Sequence, residues 1–481
     1  MNKNLLCVLC AVFACVQARV GALTVDSAAF FHEYEPPREK SYVMNVAVKD
    51  WGPVIDSAVV YLGKNVPASA VNAQDFSVGV FGAAAGDKID IVTGFLDVES
   101  AFLSDEYGNE ALDGIYVTLH FKTHPEDSLC NPFVSFPVSI LKKGVKSLWI
   151  KNSALSLNCS EMSAVNCAAV SKFKASFSVT DETVSYYAYF LPEARSESES
   201  AAKIPLVVWL HGISEGGTDA LAPLLASRIG DLSNDEMQRQ FGEGGAAILV
   251  PQARTSWLES TTKDAFGNNI WVPVDIDGTV KSIKEKMTGW LSGKFAFRGK
   301  EREEEKAPSA TVSIYTIALR NLIGEFIENH GEIDENRVYI MGFSAGGYMA
   351  VNMCLQYPDF FAAAVPVSEV FPNSKLTSRD IASLSKMPLW FVHSADDSVA
   401  KIAKYDGATV QRLVAEGAKD VHYTLYNCIV DSDGVYFDED GNVFQYSGHD
   451  AFIPLFRDEV SESIDGETVS LFEWLSSKSR K

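Results

Sequence analysis

Three side chains in the C-terminal third of this sequence could together activate an oxygen nucleophile: Ser344, His449 and one of the adjacent pair Asp396 and Asp397. A serine hydroxyl attacks a carbonyl poorly unaided. An imidazole that removes its proton makes it competent, and a carboxylate holds that imidazole in the right tautomer. Ser344 lies in Gly342-Phe343-Ser344-Ala345-Gly346, between the apolar run Arg337-Val338-Tyr339-Ile340-Met341 and a helix-like stretch from Tyr348. The pattern predicts a strand, a sharp turn with serine at its apex, and a helix. The small residues let the helix backbone pass close to the strand.

A second stretch, Gly212-Ile213-Ser214-Glu215-Gly216, has the same spacing and also follows an apolar run, Leu206 to Leu210. Order separates the two. In α/β-hydrolases the turn carrying the nucleophile, the nucleophile elbow, comes after the loop that donates an oxyanion-hole N–H, and His211-Gly212 at the end of an early strand fits that loop. The charge of Glu215 would also oppose a developing oxyanion beside Ser214. Ser344 is therefore the expected nucleophile, with backbone N–H groups of Ala345 and Ile213 as the expected oxyanion hole.

The partners follow in the order Ser, Asp, His. Pro388-Leu389-Trp390-Phe391-Val392 reads as a buried strand running into His393-Ser394-Ala395-Asp396-Asp397. Hydrolases often carry the acid four residues after a histidine that ends the strand, which favours Asp397, and Asp396 reads as a turn or cap residue. His449, in Tyr446-Ser447-Gly448-His449-Asp450, follows the last strand-like run, Val421 to Cys428, and a hairpin predicted from Val435 to Tyr446. Gly448 would let its loop approach the nucleophile. His211, Gln252 and Trp257 are the expected lining of the substrate pocket.

These residues need a scaffold. The 481 residues exceed what one core organises, and the pattern changes near residue 170. From Leu23 to about Val165, short β-branched or aromatic runs separated by Gly, Pro, Asn and Asp predict an all-β sandwich; they include 43–48, 57–62, 76–81, 89–92, 115–121 and 133–140. From Lys172 a β-hairpin opens a second domain, after which strands alternate with helices. That alternation predicts an α/β fold: a doubly wound, mostly parallel sheet with its chemistry at the strand C-terminal ends. The boundaries expected are 1–22 for a signal peptide, 23–170 for the sandwich and 171–481 for the catalytic domain.

The leader carries Lys3 and a short apolar stretch, Leu5 to Val16, too short to span a bilayer, which predicts export to the periplasm, the cell surface or the medium. Read as a lipobox, Val12-Phe13-Ala14-Cys15 would instead place a lipid anchor on Cys15. Beyond the leader, Cys130, Cys159, Cys167, Cys354 and Cys428 are odd in number, and Cys159 with Cys167 could close a small loop. A formal net charge of −22 argues against a nucleic-acid surface, since phosphates would be repelled. No Cys/His spacing suggests zinc, and the acidic stretches around Asp431 and Asp438 do not fit a calcium loop, so no cofactor is expected. The aromatic-bearing insertion 258–313 reads either as a lid or as a peripheral excursion.

The chain resembles the EstA-type esterases, α/β-hydrolases with an N-terminal immunoglobulin-like domain, related to the feruloyl-esterase and polyhydroxybutyrate-depolymerase group. The resemblance rests on Asp50-Trp51-Gly52-Pro53, Trp209-Leu210-His211-Gly212, Glu215-Gly216-Gly217-Thr218-Asp219, Val250-Pro251-Gln252, Gly342 through Met349, Tyr357-Pro358-Asp359, Ala363-Ala364-Val365-Pro366 and Gly448-His449. It implies a secreted carboxylesterase for short to medium acyl esters, small or polymer-linked, with Ser344, Asp397 and His449 as triad. Ile213-Ser214 and Ala345 depart from the family's usual glycine-like and Asn residues. A feruloyl or acetyl esterase of polysaccharides and a serine peptidase share the same chemistry. A homo-oligomer is compatible with the chain.

Overall fold

In a computed structural model the described residues are 34–82, 91–133, 145–178, 183–193, 203–254, 256–263, 269–273 and 312–480. The leader with Cys15, all but the first residue of the run predicted at 133–140 and most of the 258–313 insertion lie outside them. The chain divides into two compact units: residues 1–173 with Leu224–Gly230, and Lys174–Pro223 with Asp231–Lys481.

The described residues of the first unit form two sheets. One orders Val98–Ser104, Asp113–Phe121, Gly52–Pro67, Ser41–Lys49 and Glu161–Asn166; the other orders Ile91–Leu96, Ser77–Gly82, Ser147–Asn152 and Leu157–Cys159. Along Ser41–Lys49 and Gly52–Pro67, Tyr42, Val43, Met44, Ile55, Val59 and Val60 are fully buried; neighbours along a strand point to opposite faces, so both faces of these two strands are covered. Tyr42 ties the sheets together, its hydroxyl accepting from the Leu148 N–H at 2.5 Å. Cys159 and Cys167 are separate buried thiols rather than a loop-closing disulfide; Cys159 Sγ donates to the Lys40 carbonyl at 3.4 Å instead.

The second unit is built on eight strands: β1 (Lys174–Phe177), β2 (Tyr186–Phe190), β3 (Ile204–Leu210), β4 (Ala247–Gln252), β5 (Ile333–Phe343), β6 (Ala363–Val367), β7 (Leu389–Ser394) and β8 (Val421–Tyr426). Their order across the sheet is β1-β2-β4-β3-β5-β6-β7-β8. The first two pairings are antiparallel and those from β4 to β8 are parallel. Every residue of β3, Ile-Pro-Leu-Val-Val-Trp-Leu, is buried, which is why its sequence shows no polar alternation. Helix α1 (Ile314–Asn329) buries Tyr315, Ala318, Leu319, Leu322, Ile323 and Phe326, a single stripe at helical spacing. Its start is capped by Ser313 Oγ, which accepts from the Thr316 N–H at 3.0 Å.

Strand register sets the site. Leu210 pairs with Gly342, Phe343 with Val367, Val367 with Val392, and Ser394 with Tyr426. The loops after β3, β5, β6 and β7 therefore leave the sheet at one level. The insertion contributes a small separate sheet of Glu259–Lys263, Asn269–Pro273 and Val312–Ser313. The hairpin predicted at 435–446 is reduced to isolated antiparallel bridges, Val430 with Gln445 and Phe437 with Val443, around turns at Gly434 and Gly441.

Candidate active site

Ser344 stands between β5 and helix α2 (Ala345–Gln356) with φ +55° and ψ −112°. A non-glycine residue held there costs about 1–3 kcal/mol, so its surroundings must over-determine it. They do: its N–H donates to the Val367 carbonyl at 2.9 Å, and its carbonyl accepts from the Tyr348 N–H at 2.9 Å. Gly346 has no room for a side chain, since a β-carbon there would sit 1.9 Å from the Leu210 carbonyl oxygen and 2.7 Å from that of His211. The elbow thus packs directly on the backbone that leads into the Ile213 loop.

His449 Nε2 lies 2.9 Å from Ser344 Oγ, and His449 Nδ1 lies 2.7 Å from Asp397 Oδ2. Ser344 retains 7% exposure and the His449 side chain 13%, whereas the Asp397 side chain keeps 1%. The imidazole also packs on Phe343, with ring centroids 5.0 Å apart. Burial works against charge on Asp397, but hydrogen bonds from His393 and His449, with backbone N–H groups, outweigh it and hold the carboxyl far below the usual range. Its Oδ1 accepts from the N–H groups of Val399 (2.6 Å) and Ala400 (2.8 Å). Asp396 is exposed and bonded to Ser394 Oγ and Gln445 Nε2.

Gly448 makes its close approach to the acid loop, not to the nucleophile as its sequence position suggested. A β-carbon on it would lie 2.0 Å from Asp396 Oδ1 and 2.8 Å from the Asp397 nitrogen. Ala345 and Ile213 are the first residues of α2 and of a short 3₁₀ turn (Ile213–Glu215), so neither N–H has an acceptor within its own helix.

The three expected pocket residues are corrected by burial. His211 and Trp257 are 0% exposed and Gln252 is 1% exposed, so none presents a surface to substrate. They brace the loop after β3 instead. His211 Nδ1–H donates to the Gly212 carbonyl at 2.6 Å, and Nε2 accepts from the Ala253 N–H at 3.0 Å. That pattern requires a neutral ring, and burial lowers its pKa to about 4. Trp257 packs on His211 and on Tyr315, and Gln252 Nε2 donates to the Glu215 carbonyl at 2.9 Å.

Glu215 is not the charge that its sequence position implied. Burial raises its pKa to about 8, and neighbouring Asp450, itself raised by burial to about 6, pushes in the same direction. As a neutral acid, its Oε2 accepts from the Gly212 N–H at 3.2 Å and fixes the start of the loop. The Ser214 side chain lies outside the described residues.

Three further groups went unread in the sequence as parts of the site. His393 Nε2 lies 2.9 Å from Asp397 Oδ2, and its Nδ1 lies 2.5 Å from Oδ2 of Asp406, at the start of helix α3 (Asp406–Glu416). Glu369, just after β6, is buried with its Cβ against Gly347 of α2, and burial with the Asp406 charge holds its carboxyl well above the ordinary range. The His-x-x-x-Asp spacing was the one available signal. Among the described residues no cluster of three or more His, Cys, Asp or Glu side chains could hold a metal ion, and no helix is long and apolar enough to cross a membrane.

With this geometry in place, residues 41–185 match the esterase Ig-like N-terminal domain and residues 321–429 match the prolyl oligopeptidase family. The fold is similar to that of a thermostable esterase, with a TM-score of 0.61 at 20% identity over 92% of this chain and 100% of that one, a likeness of fold. A stretch of 52 residues is 38% identical to a poly(3-hydroxyalkanoate) depolymerase C from Paucimonas lemoignei. It spans 11% of this chain and 12% of that protein's length.

Proposed function

Taking the chain as a serine hydrolase with the architecture of the EstA-type esterases, an immunoglobulin-like domain followed by an α/β-hydrolase domain, we propose that it is a carboxylesterase for short to medium acyl esters, with Ser344, His449 and Asp397 as its triad. The observation carrying this reading is the unbroken relay from Ser344 Oγ through His449 to Asp397, at 2.9 and 2.7 Å, with the serine in a strained backbone conformation.

Ser344 Oγ attacks the ester carbonyl carbon as its proton passes to His449 Nε2. Negative charge collects on the former carbonyl oxygen, where the N–H groups of Ala345 and Ile213 receive it. Collapse breaks the bond to the alcohol, which leaves with the proton from His449. Water, deprotonated by the same nitrogen, then attacks the acyl-serine and releases the acid. Asp397 keeps the imidazole in the tautomer with hydrogen on Nδ1 throughout. The substrate is a small or polymer-linked ester, and the leader 1–22 directs the enzyme out of the cytoplasm, with Cys15 as the anchor point if the leader is read as a lipobox.

Hydrolysis of p-nitrophenyl esters from acetate to laurate, by the mature chain and by Ser344→Ala, tests the reading. Turnover that vanishes in the variant supports it, and the chain-length profile sizes the acyl site. Wild-type chain that neither turns over these esters nor reacts with a fluorophosphonate probe would overturn it. The match of 321–429 to the prolyl oligopeptidase family favours one second reading, a serine peptidase, distinguished by hydrolysis of peptide amides without turnover of the ester series.

A further inference from the structure

Asp397 is unusual in serving two imidazoles through one oxygen. Oδ2 meets His449 Nδ1 at 2.7 Å and His393 Nε2 at 2.9 Å. His393 is fully buried and both its ring nitrogens face acceptors: Nε2 faces Asp397 Oδ2 and the Ala400 carbonyl, each at 2.9 Å, and Nδ1 faces Asp406 Oδ2 at 2.5 Å. Asp406 Oδ1 accepts from the Gly407 N–H at 2.7 Å; burial raises its carboxyl above the ordinary range, and the bonds to His393 and Gly407 favour its charged form against that. We propose that His393 is a positioning residue: clamped between Asp397 and Asp406 with hydrogen on both nitrogens, it fixes the carboxylate that orients His449.

This rests on the triad assigned above. Two backbone N–H groups hold Oδ1 of Asp397, so rotation about its carboxyl is limited from one side only. His393 supplies the restraint on Oδ2, and its charge lets a second carboxylate be buried beside the first. The groups packed around it agree. The carboxyl of Glu369, after β6, is raised well above the ordinary range by burial, with Asp406 pushing the same way. Tyr423 of β8, near Asp406 and Glu369, is pushed far up by burial and stays neutral. Lys401 Nζ binds the Asp397 carbonyl oxygen rather than its side chain. Burial opposes charge on His393, but the bonds to Asp397 and Asp406 prevail and lift the ring to about 9. Above that pH one proton leaves. The shorter bond to Asp406 retains its hydrogen, so Nε2 turns a lone pair toward Asp397 and the orienting contact becomes repulsive.

The test is the rate of fluorophosphonate labelling of the full chain between pH 6 and 10.5, with a return to pH 7.5 to show that losses reverse, for wild type, His393→Ala, His393→Gln and Ser344→Ala. Wild type should lose labelling rate as pH rises through about 9. His393→Ala should label about 10²-fold more slowly at its plateau, as misplacement of a supporting group does. His393→Gln keeps an amide N–H toward Asp397 but does not titrate. It should recover most of the rate and lack the fall near pH 9. Equal losses in the Ala and Gln variants, or a fall near pH 9 that persists in Gln, would overturn the proposal. If the Ala variant does not fold, the alkaline behaviour of the Gln variant alone decides. Should wild type and Ser344→Ala label alike, the triad reading fails instead, an outcome separate from any of these.

Discussion

Gly448 and Asp396 are in such close contact that the glycine has no room for a methyl group: a β-carbon would stand 2.0 Å from the carboxylate oxygen. The Asp396 side chain is exposed and can swing away, but the Asp397 nitrogen, 2.8 Å from the same point, is backbone and cannot. Gly448→Ala should therefore shift the neighbouring His449 and lower kcat about 10²-fold with little change in KM. Steady-state kinetics on p-nitrophenyl acetate check this. Adding Asp396→Ala should restore only part of the loss, since the backbone clash remains.

The two adjacent aspartates should respond very differently to amidation. In Asp397→Asn the amide oxygen stays with the Val399 and Ala400 N–H groups and the NH₂ faces His449 and His393, so the orienting tautomer is lost and kcat should fall about 10⁴-fold. Asp396→Asn alters an exposed side chain and should stay within about twofold of wild type. Parallel kcat measurements decide, and a larger loss from Asp396→Asn would reassign the acid.

Glu215 couples stability to pH. Its folded pKa, about 8, lies above the value of an unfolded carboxyl near 4.5, so the folded state holds a proton that the unfolded chain releases. The resulting stability is fully present below about pH 4.5, declines as pH rises, and is lost once pH passes about 8. Glu215→Gln keeps an acceptor for the Gly212 N–H without an ionisable group. Its Tm relative to wild type should rise steadily from pH 4.5 to 8 and then level off. A constant difference across that window would mean that Glu215 is ionised in the fold.

Ser344 trades stability for placement. Glycine adopts φ +55° without strain, so Ser344→Gly should raise Tm by about 2 °C while abolishing fluorophosphonate labelling. A lower Tm would show that the hydroxyl's bond to His449 contributes more to stability than the backbone strain costs.

How far the sequence carried the site follows from what kind of contact each residue makes. The parallel strands β3 to β7 were readable because burial on both faces leaves continuous apolar runs, and the turn at Ser344 because so few residue types tolerate it. Val98–Ser104, with Glu99 and Ser100 in its first half, has no such run and was missed. Loop side chains were harder. His211 and Trp257 sit beside the elbow in the chain's logic, yet nothing in their spacing tells whether a ring faces the cleft or the core. His393 was read as a strand end because its partner Asp406 arrives from a helix on the far side of a loop, a pairing set by packing alone.

His449 comes from the stretch beyond β8, the outermost strand on its side of the sheet, while Ser344 is set at the centre between β5 and β6. During synthesis the serine and its turn are made long before the base that activates it. Phe452 and Phe456, just beyond His449, pack on Phe343 and Trp209, so the stretch that brings the base also finishes the packing beneath the elbow. Hydrolytic competence is thus deferred until the stretch after β8 has docked, and recovery of activity on refolding reports that docking rather than formation of the central strands alone.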